Sequence, residues 1–106
     1  MRQAEIHVHG VRAGLLEELE PGRSYRFTYD PGYQGPPVSL TMPVQAGPFT
    51  HEGFPPFFDG LLPEGAQLEA LLRRRKLDRG DLFGQLVAVG RDMVGAVTAR
   101  AVETVE

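Results

Sequence analysis

The stretch 23-RSYRFTYD-30 carries the clearest strand pattern in the chain. Tyr25, Phe27 and Tyr29 alternate with polar residues, which is the two-residue period of a strand that buries one face. We therefore predict a strand here, with these aromatic side chains on one side and the intervening polar residues on the other.

Two further strands are predicted before it. The stretch 4-AEIHVHG-10 alternates apolar and polar residues, and His9-Gly10 suits a tight hairpin turn because glycine adopts positive φ freely. The stretch 11-VRAGLLEEL-19 resumes the alternation until Pro21-Gly22 breaks it, and the acidic 16-LEELE-20 is interpreted as a solvated strand end and hairpin. The predicted inward positions are Ala4, Ile6 and Val8 in the first strand and Val11, Ala13 and Leu15 in the second.

On the other side of the central stretch the pattern changes. The residues 31-PGYQGPP-37 form a loop by their proline and glycine content. The following 38-VSLTMP-43 predicts a short fourth strand with Val38, Leu40 and Met42 inward.

The second half of the chain is predicted to be mostly helical. In 63-PEGAQLEALLRRRK-76 the leucines recur at helical spacing, Pro63 suits the first turn, and Glu69 stands four residues before Arg73. Asp78 is the predicted N-cap of a second helix in 81-DLFGQLVAV-89, with Gly90 as its C′ residue. An alternating strand, 94-VGAVTARAVETV-105, closes the chain. The predicted apolar helix faces are Leu68, Leu71 and Leu72, then Leu82, Phe83, Leu86 and Val89.

This order of elements indicates an α+β fold. Four strands, two or three helices and a last strand predict a small antiparallel five-stranded sheet or barrel, with the helices inserted before the final strand. At 106 residues the chain is one domain, 1–106, with room for one modest core.

Composition excludes several classes of function. There is no cysteine, and the net charge of −3 argues against a general nucleic-acid binder. No signal peptide or apolar run long enough for a membrane span occurs. The chain has no phosphate-binding glycine loop and no nucleophile elbow, and 81-DLFG-84 only superficially resembles a kinase metal-binding motif. We predict no catalytic, cofactor-binding or metal-binding residues.

The remaining charged residues have simple interpretations. His7 is interpreted as a strand residue and His9 as a turn residue, rather than as metal ligands. The basic 73-RRRK-76, with Arg79 nearby, suits a helix C-terminus, and a phosphate-facing or acidic-partner-facing patch is the alternative.

The stretch 54-FPPFFDGLLPEG-65 is dense in both apolar and loop-forming residues. Pro55 and Pro56 can open a short helix in which Phe57 and Leu61 share one face while Phe58 and Leu62 share a neighbouring one. Two such pairs exceed what one short turn normally buries, which predicts one core face and one interface face. Burial of both faces is the alternative. The acidic Asp59 and Glu64 are interpreted as helix caps.

These motifs together resemble the N-terminal domain of HipA-type serine/threonine kinases. The resemblance is carried by 38-VSLTMPVQAGPF-49, 55-PPFFDGLLPEG-65 and 81-DLFGQLVAVGRDMVGAV-97, with 8-VHGVRAGLL-16 and 25-YRFTYDPGY-33, and it covers about 4–102. Within it, Gly90, Asp92, Gly95 and Ala96 match a G-x-D-x-x-G-A element. The resemblance implies a small antiparallel sheet or barrel with helices, which precedes the catalytic core in the full-length toxins.

The resemblance implies a bacterial, cytoplasmic protein that is not an enzyme. We expect a complete small subunit resembling HipS, an antitoxin that binds and neutralises a HipT-like or HipA-like kinase and meets a HipB-like DNA-binding protein through the complex. The alternative is a regulatory or dimerisation domain from a longer HipA-like kinase. No cofactor, direct nucleic-acid contact or membrane contact is expected. The predicted kinase-facing residues are Phe57, Phe58, Asp59, Leu61, Leu62, Pro63 and Glu64.

Overall fold

A computed structural model of the protein describes residues 2–44, 47–90 and 96–102, and within these ranges the chain forms five strands and three helices. The elements in chain order are β1 (Gln3–Val8), β2 (Val11–Glu20), β3 (Ser24–Tyr29), β4 (Phe49–Glu52), α1 (Pro56–Asp59), α2 (Gly65–Arg75), α3 (Leu82–Val89) and β5 (Val97–Ala101). The strands form one antiparallel sheet in the order β4-β3-β2-β1-β5. The predicted α+β fold, with its helices inserted before the last strand, is confirmed.

The first hairpin forms as predicted. Ala4, Ile6 and Val8 are buried on the inner face of β1. The turn residues His9 and Gly10 both have left-handed backbone angles, with φ of 51° and 80°. Such a pair matches the twist of the two strands that it joins.

The predicted inward face of β2 is only partly correct. Ile6 pairs with Gly14 and His7 with Arg12, so Ala13 is an extra residue that forms a β-bulge. Beyond the bulge the inward positions shift by one residue. Leu15 is therefore only half-buried on the opposite face. Val11 lies before the bulge and pairs with the inward-facing Val8, but it is 60% exposed at the hairpin end of β2.

The same shift overturns the interpretation of 16-LEELE-20 as solvated. Leu16 and Glu18 are both buried. The carboxylate of Glu18 accepts two hydrogen bonds from Arg2, each at 2.8 Å, and the guanidinium of Arg2 also donates to Asp81 at 2.9 Å. This ion-pair cluster holds the start of the chain against β2 and the start of α3. It lowers the pKa of both carboxyl groups below their usual range because Arg2 stabilises their charged forms.

The central strand β3 supplies the aromatic part of the core. Tyr25, Phe27 and Tyr29 are buried as predicted. A Cβ at Gly14, on the neighbouring β2, would collide with the carbonyl of Thr28 and the ring of Phe27, so only glycine fits there.

The predicted fourth strand at 38–43 is wrong. Residues 39–42 form a turn closed by an isolated bridge between Ser39 and Met42. Val38 and Met42 are buried, but Leu40 at the tip is 94% exposed rather than inward. The strand that pairs with β3 is β4 instead, with Phe49 opposite Phe27.

The first of the two longer helices follows its predicted pattern closely. In α2, Leu71 and Leu72 are buried and Leu68 is half-buried. Pro63 lies just before the helix rather than in its first turn, because Glu64 takes the N-cap position. The carboxylate of Glu69 pairs with Arg79 across the loop that follows.

The boundaries of α3 differ from the prediction. Phe83 and Leu86 are buried as expected, and Leu82 and Val89 are half-buried. The N-cap is Asp81, whose side chain accepts a hydrogen bond from the amide of Gly84 at 3.0 Å, and not Asp78. None of the helices in the described parts of the chain is long and apolar enough to cross a membrane.

At the end of α3, Gly90 is the C-cap and has φ −54°, so it does not adopt the left-handed C′ conformation that we predicted. Its lack of a side chain allows the carbonyl of Ala99 in β5 to approach closely. Asp92 and Gly95, two of the motif residues at 90–96, lie outside the described residues.

Candidate functional site

The residues 57–64, FFDGLLPE, are called here the 57–64 segment. They begin in α1, a single helical turn that Pro56 opens at the first helical position. The amides of Asp59 and Gly60 donate to the carbonyls four residues earlier, each at 3.0 Å. The next two amides, up to Leu62, donate to carbonyls three residues earlier at 3.1 Å, so the chain continues as a tight turn beyond α1.

Phe58 anchors the 57–64 segment in the core. It is 0% exposed, and its ring centroid lies 6.1 Å from that of Phe27 in β3. The ring of Phe57 meets it edge-on at 5.4 Å. The helical turn is therefore fixed to the inner face of the sheet through one aromatic side chain.

The neighbouring apolar side chains are only partly covered. Phe57, Leu61 and Leu62 are half-buried against the main core, and Pro63 is half-buried as well. The helical pairing that we predicted is wrong, because α1 ends at Asp59 and Leu61 and Leu62 follow in a turn. Phe58, one of the predicted kinase-facing residues, is instead sealed in the core, whereas Phe57, Leu61, Leu62 and Pro63 are partly open to solvent.

Two carboxylates accompany this apolar surface. Asp59 and Glu64 are both exposed. Glu64 occupies the N-cap position of α2, but its side chain makes no capping hydrogen bond within the described chain, so the cap interpretation holds for its backbone only. Asp59 is the last residue of α1 and not its cap. The apolar surface thus carries negative charge and no cation within 57–64.

Sharp backbone geometry separates the 57–64 segment from the helix that follows. Gly65, the first residue of α2, has φ +58°, which is left-handed and strained for residues with a side chain. The glycine of the PEG sequence therefore permits the abrupt change of direction into α2, which leaves the 57–64 segment outside that helix.

The described residues offer no metal site. They contain no group of three or more His, Cys, Asp or Glu side chains placed to hold a metal ion. The imidazole of His7 lies 3.2 Å from the carboxylate of Glu5 on the outer sheet face, and His9 is in the hairpin turn.

The basic run at 73–76 lies at the end of α2. Arg73, Arg74 and Arg75 form its last turn, and Lys76 is the C-cap with φ 54°. All four residues are exposed. The predicted position at a helix C-terminus, where cations complement the helix dipole, is confirmed.

The chain is therefore a small α+β domain with a partly exposed apolar surface that carries the two carboxylates Asp59 and Glu64. Its described residues contain no metal centre. Comparison with known proteins identifies the family. A family model described as HipA N-terminal domain matches residues 4–100. The chain belongs to the HipA N-terminal domain family.

Individual relatives agree with this assignment. An uncharacterized protein of Haemophilus influenzae is 35% identical over 97 residues, which cover 92% of this chain and 90% of that protein. A solved structure of the N-terminal domain of HipA toxin matches with a TM-score of 0.76 and 30% identity, covering 99% of this chain and 96% of that one. The resemblance stated from the sequence motifs is confirmed.

Proposed function

We propose that this chain is a non-catalytic, antitoxin-type subunit that binds and neutralises a HipA-like or HipT-like serine/threonine kinase through the 57–64 segment. The observation that carries the proposal is the partial exposure of Phe57, Leu61 and Leu62 beside the fully buried Phe58. The family relationship to the N-terminal domain of a kinase toxin indicates which kind of partner covers these side chains.

The geometry of the segment suits a binding anchor. Phe and Leu side chains that become fully buried near the centre of an interface can each contribute about 2 kcal/mol or more. Because Phe58 fixes α1 to the sheet and four successive amide hydrogen bonds close the turn, the surface is already ordered before binding. An ordered surface loses less conformational entropy on association.

The charges of the 57–64 segment indicate which charges a complementary partner surface carries. Asp59 and Glu64 are both exposed in this segment, so a complementary surface has an apolar centre with Lys or Arg side chains at its rim. Such rim pairs mainly increase the association rate and fix the orientation of the complex.

The inhibitory mechanism that we propose is occupancy. Docking on the kinase core hinders its active site or its productive closure, so no turnover by this chain is needed. Both comparisons that carry a functional name are to the N-terminal domain of HipA, and the sequence contains no kinase catalytic or phosphate-binding loop. The complex acts in the cytoplasm, and a HipB-like DNA-binding protein joins it through the kinase.

Co-expression tests this function. A HipA-like kinase encoded at the same locus is expressed alone and with this chain, and growth, co-purification and kinase phosphorylation activity are measured. We expect rescue of growth, a stable complex and reduced phosphorylation. A kinase that stays equally toxic and equally active with this chain bound contradicts the antitoxin proposal.

The second candidate is a regulatory or dimerisation domain of a longer HipA-like kinase. The similarity to the N-terminal domain of HipA toxin over 96% of that chain favours it. On this alternative the chain binds the kinase, or itself, and leaves kinase activity unchanged. The co-expression experiment, combined with sedimentation of the isolated chain, separates the two candidates.

A further inference from the structure

The C-terminal end of α2 concentrates positive charge. Arg73, Arg74, Arg75 and Lys76, called here the basic turn, are all exposed and supply four of the 11 Lys and Arg residues of the chain. The other residues contain seven Lys or Arg against 14 Asp or Glu, which is a net charge of −7. Positive charge is therefore segregated at one end of one helix.

The described chain does not neutralise the basic turn. Glu69 stands one helical turn before Arg73, at the spacing of a stabilising ion pair, but its carboxylate pairs with Arg79 instead. No described carboxylate forms an ion pair with any of the four cations. The helix dipole places only about half a negative elementary charge at this end, so it offsets a fraction of their mutual repulsion.

The backbone nevertheless holds the basic turn in place. The amides of Lys76 and Leu77 both donate to the carbonyl of the buried Leu72. Lys76 has φ 54°, a left-handed conformation that costs least for glycine. The fold thus accepts repulsion between cations and an unfavoured backbone angle at the same place, and such local costs are typical of a binding surface.

The charges around the basic turn indicate the chemistry of its partner. A complementary surface carries carboxylates. It is also compact, because the basic turn is about 6 Å long and is flanked by the exposed Glu69 and Asp78. Duplex DNA or an anionic membrane would extend past the basic turn and meet the rest of the chain, whose net charge is −7. An acidic patch on a protein fits this distribution better.

The basic turn and the 57–64 segment lie at opposite ends of the same helix. Glu64, the last residue of the segment, is the N-cap of α2, and the 11 residues of α2 place the basic turn about 16 Å beyond it. Between the two ends, Ala66, Gln67 and Ala70 are exposed and uncharged. The exposed side of α2 therefore runs without interruption from an acidic end to a basic end, and one partner can face both.

We propose that the basic turn docks on an acidic patch of the kinase that the 57–64 segment contacts, and that the opposite charges at the two ends of α2 fix the orientation of the complex. This inference rests on the proposed function, because the kinase is its partner. It assigns to the kinase an acidic patch about 16 Å from the basic rim that faces Glu64.

The test is the association rate and affinity of the full chain with the purified HipA-like kinase at 50 and 500 mM NaCl. The variant is Arg73→Gln/Arg74→Gln, and Arg23→Gln/Arg100→Gln is the matched control, because it removes two exposed positive charges elsewhere on the surface. At 50 mM NaCl we expect the first variant to bind about tenfold more weakly, mainly through slower association, and the control to bind like wild type. The difference should shrink to about twofold at 500 mM NaCl, because salt screens the charges.

Unfolding temperatures of both variants show whether they keep the fold. A folded Arg73→Gln/Arg74→Gln variant that binds the kinase like the control overturns the inference and leaves the proposed function intact. A wild-type chain that does not bind the kinase overturns both. Binding to a 20-base-pair DNA duplex or to phosphatidylglycerol vesicles that Arg73→Gln/Arg74→Gln abolishes, with kinase binding unchanged, assigns the basic turn to another partner and also overturns the inference.

Discussion

In residues 3–29 the chain buries apolar side chains by strand alternation, whereas residues 31–64 consist mainly of turns that contain proline and glycine, with only the short strand β4 and the single helical turn α1 between them. Tyr25, Phe27 and Tyr29 in the first region are all buried. In the second region burial is divided, since Phe58 is sealed, Phe57 is half-buried and Leu40 is almost fully exposed. A strand face leaves no such choice, because every second residue points the same way.

If the proposed function holds, the two regions divide stability and partner binding between them. The sheet supplies the continuous core, and its outer face is covered by ion pairs such as Arg26 with Glu17 at 3.0 Å and Arg12 with Asp30 at 2.9 Å. The turns of the second region add only a few anchors to that core and leave ordered apolar side chains uncovered. We therefore expect substitutions in the first region to change mainly the free energy of unfolding, and those at uncovered positions of the second to change mainly binding.

The largest expected effect comes from Phe58, which belongs to the second region by sequence but to the core by burial. Phe58→Ala should lower the free energy of unfolding by about 3–5 kcal/mol, because it removes a fully buried ring and leaves a cavity beside Phe27. Phe57→Ala, the matched control, should cost about 1–2 kcal/mol because that ring is half-buried. Urea unfolding measures both, and equal losses would show that the two rings do not differ in role.

Tyr29 ends β3 in the first region, and its hydroxyl binds Val38 and Met42 in the second region. Tyr29→Phe therefore tests the contact between the two regions. It keeps the ring in the core but removes the hydroxyl that binds Val38 and Met42. The buried amide of Val38 loses its partner, which should cost about 1–3 kcal/mol. Hydrogen exchange should become faster at Val38 while the amides of β1 and β2 keep their relative protection. Unchanged exchange at Val38 would contradict the role of the Tyr29 hydroxyl in holding the turn 39–42.

The ion-pair cluster at Glu18 tests whether the sheet region carries the sensitivity to acid. The pKa of Glu18 is lowered in the folded state, because Arg2 and the amide of Gly22 stabilise the carboxylate. The stability that it contributes is therefore complete above the ordinary glutamate range and is lost as the pH falls from that range through the depressed pKa. Glu18→Gln should cost about 1–2 kcal/mol at pH 7 and flatten this acid limb.

The measurement is thermal unfolding between pH 3 and 7 for wild type and Glu18→Gln, with Glu20→Gln as the control. Glu20 is exposed, and its carboxylate makes only a long, solvent-exposed ion pair with the guanidinium of Arg23, at 3.8 Å. Because such surface pairs contribute little, Glu20→Gln should leave the profile unchanged. Parallel profiles for wild type and Glu18→Gln would show that other carboxylates determine the acid sensitivity.

The smallest expected effect on stability is at Leu40. Because its side chain is 94% exposed, Leu40→Ser should change the free energy of unfolding by no more than about 0.5 kcal/mol. Val38→Ser, two residues away and buried, should cost far more. Urea unfolding of this pair checks the contrast, and a large loss at Leu40 would mean that the turn is stabilised by its tip.

Much of the fold could be predicted because periodicity reports burial wherever a strand or helix is regular. β1, β3, α2 and α3 follow this rule. The inner face of β2 was predicted only in part, because the bulge at Ala13 adds one residue and shifts the inward positions beyond it. The apolar residues at 38, 40 and 42 also alternate, but the Tyr29 hydroxyl and Ser39 fold them into a turn, and no local pattern indicates such a contact.

The apolar segment of the candidate site could be recognised in the sequence, but the burial of its individual side chains could not be predicted. The density of Phe, Leu and Pro at 54–65 marks an unusual apolar segment. Which ring enters the core depends on Phe27 in β3 and on the end of α1 at Asp59, and both are tertiary features. The exposure of Leu40 and the pairing of Glu18 with Arg2 depend in the same way on residues distant in the chain.

The most direct test of the proposed function is inhibition of a HipA-like kinase by the double variant Phe57→Ser/Leu61→Ser, with its affinity determined in parallel. Leu15→Ser is the matched control, because Leu15 is also half-buried but lies on the outer face of the sheet. With circular dichroism confirming that both proteins are folded, we expect the double variant to bind about 30-fold or more weakly and to lose inhibition, while Leu15→Ser inhibits like wild type. A folded double variant that binds and inhibits the kinase like wild type would contradict the role of the 57–64 segment.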